Sequence, residues 1–196
     1  MNKKLFASAL LSAGLLTTNI AFAQTAPNWD LVQASYIAMD IDEMNALDFT
    51  GFDLSGSKLI NDNIFVVANY AALSDSVDGV NIDFDTYGVG VGYRYGLTNT
   101  TDAFVIVSLQ SASVASTYGK ADETGYGLTT GVRSMVSEQI ELTGTLSYVS
   151  DSIDGTSETT FSATAFYHIN SQFSVGAGYN TSSDASGYSF SARYSF

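Results

Sequence analysis

From Thr86 to Leu97 the chain alternates. Tyr87, Val89, Val91, Tyr93, Tyr95 and Leu97 share one face of an extended strand, and Thr86, Gly88, Gly90, Gly92 and Arg94 share the other. A period of two marks a strand, because successive side chains point to opposite faces. Thr124, Tyr126, Leu128, Thr130 and Val132 alternate in the same way with Gly125, Gly127, Thr129, Gly131 and Arg133. The chain ends with Tyr188, Phe190, Ala192, Tyr194 and Phe196 set against Ser189, Ser191, Arg193 and Ser195. The pattern predicts strands near 29–39, 49–58, 64–73, 84–97, 102–113, 123–135, 139–150, 158–169, 173–181 and 187–196. A tilted strand needs roughly 9–11 residues to cross a bilayer, and these segments have about that length.

The connections alternate as well. Asn61–Asn63, Thr98–Thr101, Val136–Glu138 and Asn170–Gln172 read as short turns. Between them lie longer polar links at Asp40–Asp48, Ser74–Asp83, Val114–Asp122, Ser150–Ser157 and Ser182–Ser186. Short turns on one side, longer loops on the other and an even strand count describe an all-β, antiparallel up-and-down transmembrane β-barrel. Ten strands are expected, with eight as the alternative count, and both termini on the periplasmic side.

A secreted β-sandwich also alternates, but its outer face is rich in charge. Here the polar face is Gly, Ser, Thr and a few isolated ions, which suits the inside of a narrow barrel. Tyr95, Tyr148, Tyr167, Tyr179 and Tyr194 near strand ends resemble an aromatic girdle. The expected lipid face includes Tyr87, Val89, Val91, Tyr93, Val105, Val107, Leu128, Leu142, Leu146, Phe161, Val175, Phe190 and Phe196.

The first segment follows other rules. Asn2-Lys3-Lys4 gives a basic start, Leu5 to Leu16 an apolar run, and Ala21-Phe22-Ala23 a small-residue cleavage site. Residues 1–23 therefore read as a secretory signal peptide, and residues 24–196 as the barrel domain. Two of the seven basic residues go with the signal, against 20 acidic ones overall. So acidic a chain is a poor partner for nucleic acid, whose phosphates call for Lys and Arg. The absence of cysteine excludes disulfides, thiolate metal sites and a cysteine nucleophile. A single His argues against zinc chemistry and His-based triads, so no cofactor and no enzymatic activity are expected.

The cleavage signal, the Gly-rich alternating strands and the ending Tyr188-Ser-Phe190-Ser-Ala-Arg-Tyr194-Ser-Phe196 resemble the small outer-membrane β-barrel proteins of Gram-negative bacteria. The resemblance implies a location in the cell outer membrane and contact with its lipid and lipopolysaccharide. It also implies that the barrel assembly machinery reads Tyr194 and Phe196 as an assembly signal.

Leu73-Ser-Asp75-Ser-Val77-Asp78-Gly79 and Val149-Ser-Asp151-Ser-Ile153-Asp154-Gly155 are near copies of one heptapeptide. They read as duplicated acidic hairpin loops, since neither has the spacing or terminal Glu of a calcium-binding EF-hand. Weak divalent bridging to lipopolysaccharide phosphates stays open as a role for them.

The polar face carries the candidate site. Arg94, Arg133, His168 and Arg193 fall near the periplasmic ends of their strands, with Asp102 eight residues after Arg94 and Glu141 eight after Arg133. Across a short turn that spacing brings the partners near-opposite on one face. Buried ions are costly unless paired, so lumenal Arg94–Asp102 and Arg133–Glu141 pairs are expected. The lumenal glycines are expected to leave room for water. Gly88, Gly90 and Gly92 form no nucleotide loop, because no helix follows them. Three functions fit: a structural barrel plugged by polar side chains, a narrow passive channel, or a surface-binding barrel acting through acidic loops.

Overall fold

The alternating segments close on themselves. A computed structural model describes residues 26–41, 48–77, 80–151 and 157–196, and its ten strands form one closed antiparallel barrel. They are β1 (Leu31–Ile41), β2 (Asp48–Leu59), β3 (Ile64–Val77), β4 (Val80–Thr98), β5 (Thr101–Ser116), β6 (Gly119–Met135), β7 (Ile140–Asp151), β8 (Ser157–His168), β9 (Phe173–Thr181) and β10 (Ala185–Ser195). Each strand pairs with its chain neighbours, and β1 closes on β10 from Leu31↔Ser195 to Ile41↔Ala185. No strand edge is left open, which lets a sheet sit in hydrocarbon.

Three of the four short turns share one design. Ile60 donates its N–H to the Ile64 carbonyl, Val136 to Ile140 and Ile169 to Phe173. In each turn the next side chain accepts two further backbone N–H groups: Asn61 from Asn63 and Ile64, Ser137 from Gln139 and Ile140, Asn170 from Gln172 and Phe173. These Asx- and Ser-turns satisfy the reversal locally and so fix strand register. Both described chain ends lie at this end of the barrel, the one expected to face the periplasm.

Several boundaries differ from the expected ones. β1 begins at Leu31 rather than 29, and Trp29 before it folds into the lumen with only 4% exposure. Where they are described, the links at 74–83 and 114–122 are mostly strand rather than loop: Ser74 pairs with Asp83, Ser76 with Asn81, and Val114 with Ala121. Polar residues obscured them, because strands beyond the bilayer no longer need an apolar outer face, although their backbones still pair. Most of the 40–48 and 150–157 links, the Asp-Gly ends of the two heptapeptides and the signal segment 1–23 lie outside the described residues.

The barrel wall is therefore uneven, with 19 residues in β4 and nine in β9. Every residue of the expected lipid face points outward and is exposed. On β4 the outward positions change from Tyr87 to Asp85 and Asp83, and on β6 from Tyr126 to Asp122, which marks the upper limit of the apolar band. Tyr70 and Tyr87 stack at 5.0 Å along this border, and Phe173, Tyr194 and Phe196 form a second aromatic cluster at the turn end.

Inside, the glycines do something unexpected. Phe65 stands directly opposite Gly92, Phe104 opposite Gly131, and Phe166 opposite Gly176. A Cβ on any of these glycines would meet the facing ring at 2.7 Å or less. These three positions hold phenyl rings, not water.

Candidate functional site

The candidate site is the lumen floor, just above the short turns. Its first element follows from the β4–β5 reversal, where Arg94 is in register with Phe104 and Asp102 with Gly96. The two ions are thus diagonal rather than opposite, a separation that a long arginine spans. Arg94 Nη1 lies 3.0 Å from Asp102 Oδ2, and its Nε donates to the Asp62 carbonyl in the β2–β3 turn. Trp29 completes the group by donating its indole N–H to Asp102 Oδ2 at 2.7 Å.

The Trp29 segment is held from several sides. Ser57 Oγ donates to the Trp29 carbonyl, and Phe196 N–H donates to the Asp30 carbonyl at 3.0 Å. Asp30 accepts from Lys58 Nζ and from Leu59 N–H, each at 2.7 Å. The Lys58 ammonium, then the Leu59 amide, hold the Asp30 carboxyl below the usual carboxylate range.

The β6–β7 reversal repeats the diagonal geometry, but its carboxylate has more partners. Arg133 holds Glu141 with Nε and Nη2 at 2.8 and 2.9 Å, a bidentate pair. Arg193 reaches the same carboxylate from β10, on another part of the wall, with Nη1 2.6 Å from Oε1. Its Nε and Nη2 donate to Gln33 Oε1 at 3.2 and 3.0 Å. The Arg193 guanidinium lies 3.5 Å from the centre of the Phe166 ring, and that of Arg133 lies 5.1 Å from Trp29. Glu141 is wholly buried.

His168 approaches Glu141 from β8. Its Nδ1 shares a 2.8 Å hydrogen bond with Ser174 Oγ, and its Nε2 stands 3.6 Å from Glu141 Oε2, too far for a hydrogen bond. Among the described residues Nε2 is the one buried side-chain polar atom without such a bond.

The structure thus brings Arg94 to Asp102, and Arg133, Arg193 and His168 to Glu141. Tyr194 and Phe196 lie apart from both, on the outer face beside Phe173. Alternation did not reveal Trp29, Gln33 or the three phenylalanines. Trp29 precedes its strand, and Phe65 sits within Ile64-Phe65-Val66-Val67, where the inner and outer faces look alike.

Aromatics close what the ions leave open. Trp29, Phe65 and Phe104 pack together, with ring centroids 4.4 Å apart for Trp29–Phe65 and 5.1 Å for Trp29–Phe104. A cavity of about 280 Å³ borders this floor and is lined by Trp29, Phe65, Phe104, Arg133, Arg193 and their neighbours. A second cavity, of about 170 Å³, is lined by Gln33, Ser35, Asp53, Ser162, Thr164 and Asn180 among others. Its walls are mostly hydroxyl and amide groups.

The chain resembles known proteins at the level of fold. A model of the family described as outer membrane protein beta-barrel domain matches residues 8–180. No curated protein matches the chain. Among solved structures, the KdgM porin in complex with disordered oligogalacturonate aligns with 85% of this chain and 99% of its own, at 12% identity and a TM-score of 0.50. The NanC porin aligns over 84% of this chain and all of its own, at 9% identity and a TM-score of 0.55. The translocator domain of the autotransporter NalP from Neisseria meningitidis aligns over 88% of this chain and 90% of its own, at 9% identity and 0.53.

Proposed function

The chain belongs to the outer membrane protein beta-barrel domain family, and from that membership we propose that it is an integral outer-membrane barrel with a structural, envelope-supporting role, its lumen stopped at the periplasmic end. The floor carries this reading. Phe65 and Glu141 are both wholly buried, and three phenylalanines fill the spaces their facing glycines leave. A cross-linked floor of ions and rings stiffens a narrow barrel, whereas a conducting path would need that space for water. On this reading residues 1–23 are an export signal, Tyr194 and Phe196 form the ending read by the assembly machinery, and lipid and lipopolysaccharide are the partners.

A narrow passive channel is the second reading. It draws on the two lumenal cavities and on the porins among the similar folds. Planar-bilayer conductance of the refolded chain from residue 24 separates the two, with the heat-dependent gel shift of a folded barrel as the sample check. The wild type is expected to be silent, and Trp29→Ala combined with Phe65→Ala to open discrete steps. Steps in the wild type itself would overturn the plugged barrel in favour of the channel.

A further inference from the structure

The seven basic residues of this acidic chain include three arginines, and all three stand at the lumen floor. Facing them there are two carboxylates, Asp102 and Glu141, and one of these is shared by two guanidinium groups. The three guanidinium groups of the floor thus outnumber its two carboxylates by one. Burial of an uncompensated charge is costly, so a lumen that concentrates cations in this way favours an anion beside them. Arg133 and Arg193, each more than nine-tenths buried, line the 280 Å³ cavity that borders the floor.

The cavity has two unlike sides. Leu31, Phe65, Val67, Phe104 and Ile106 form an apolar wall from β1, β3 and β5, with Trp29 beside it. Opposed in character are Arg133, Arg193, Thr129, Thr143 and Thr145 from β6, β7 and β10. Because Arg133 engages Glu141 through Nε and Nη2, its Nη1 points away from that pair. Size fits as well, since an apolar cavity of about 150 Å³ already takes up benzene.

We infer that this cavity is a binding site for a small organic carboxylate with an apolar body, its carboxylate held by Arg133 and Arg193 and its body against Phe65, Val67 and Phe104. Both forks are already engaged, Arg133 on Glu141 and Arg193 on Gln33 and Glu141, so the ligand carboxylate is met by the outward Nη1 of Arg133 and the remaining N–H groups of Arg193, while the apolar wall excludes the water that would compete for it. The inference does not rest on the plugged lumen. Binding at equilibrium needs entry from only one end, so a silent bilayer leaves it standing.

Trp29, the one tryptophan of the chain, lines the cavity and reports on it. The experiment titrates the folded barrel in detergent with benzoate and follows Trp29 fluorescence, with benzyl alcohol as the uncharged control. A saturable change with benzoate and none with benzyl alcohol is expected. Arg133→Gln or Arg193→Gln should weaken benzoate at least about tenfold, roughly one lost charge-assisted contact. Both variants disturb the Glu141 cluster, so Val67→Phe serves as a second one. It fills the cavity from the apolar wall with every ion in place and should abolish the response. No saturable change in the wild type, an equal response to benzyl alcohol, or an unaltered response in Val67→Phe would each overturn the site.

Discussion

Arg94–Asp102 and Arg133–Glu141 have the same spacing across the same kind of turn, and both adopt the same diagonal geometry. Their surroundings differ. The Arg94 side chain keeps 21% of its surface and ties down the β2–β3 turn, so its pair fastens the rim of the barrel. Glu141 keeps none of its surface and collects Arg133 from the neighbouring strand, His168 from the next and Arg193 from β10. The turn sets adjacency, whereas depth comes from what the other walls supply. Identical sequence signatures can thus give one peripheral clasp and one central knot.

The largest effect should come from Glu141→Gln. That substitution keeps the shape but leaves two buried guanidinium groups facing an amide, and breaking a buried pair costs about 3–5 kcal/mol. Reversible unfolding in urea, followed by the heat-dependent gel shift, measures it. A loss below about 1 kcal/mol would put Glu141 on a par with the rim pair and remove the distinction drawn above.

Asp102→Asn should come next, at about 1–3 kcal/mol, since a buried carboxylate whose arginine is partly exposed loses its charge while Trp29 and Arg94 keep a weaker acceptor. Its signature is local. The Trp29 emission should shift to the red as the indole loosens, whereas Glu141→Gln, if folded, should leave the Trp29–Asp102 bond in place. Equal shifts in both variants would mean that the two groups form one cooperative unit.

Much of this was legible from alternation alone, because the bilayer demands an apolar outer face at every second residue and narrow lumens favour small residues inside. The ten strands follow from that rule, and so does the partnering of Arg94 with Asp102 and of Arg133 with Glu141, although as near-opposite rather than diagonal pairs. It falls silent where the bilayer ends, so the hairpin extensions of β3–β6 read as loops. It is silent too on which lumenal groups meet across the barrel, since Arg193 and Glu141 are 52 residues apart and on strands that do not pair. The lumenal glycines show a third limit. Gly92, Gly131 and Gly176 suggest empty space until the register sets a phenylalanine against each. Trp29 lies beyond any periodic rule, being fixed by Asp102 and by the backbone contacts of its own segment.

The smallest expected effect concerns the outermost of these ion contacts, Lys58–Asp30, where the Lys58 side chain is 53% exposed. Solvent screens such a pair, and its worth is about 0–1 kcal/mol. Its sign with pH is nonetheless fixed. The Asp30 carboxyl titrates lower in the folded barrel than in the unfolded chain, so its contribution is fully present above about pH 4 and is lost as pH falls through the folded value. Asp30→Asn should therefore lower stability slightly at pH 7 and leave it unchanged at the acid end, where the wild type has lost the same contribution. Because Asp30 also accepts the Leu59 amide beside Trp29, a loss above about 2 kcal/mol at pH 7 would mean that the rim contact governs how the tryptophan seats in the floor.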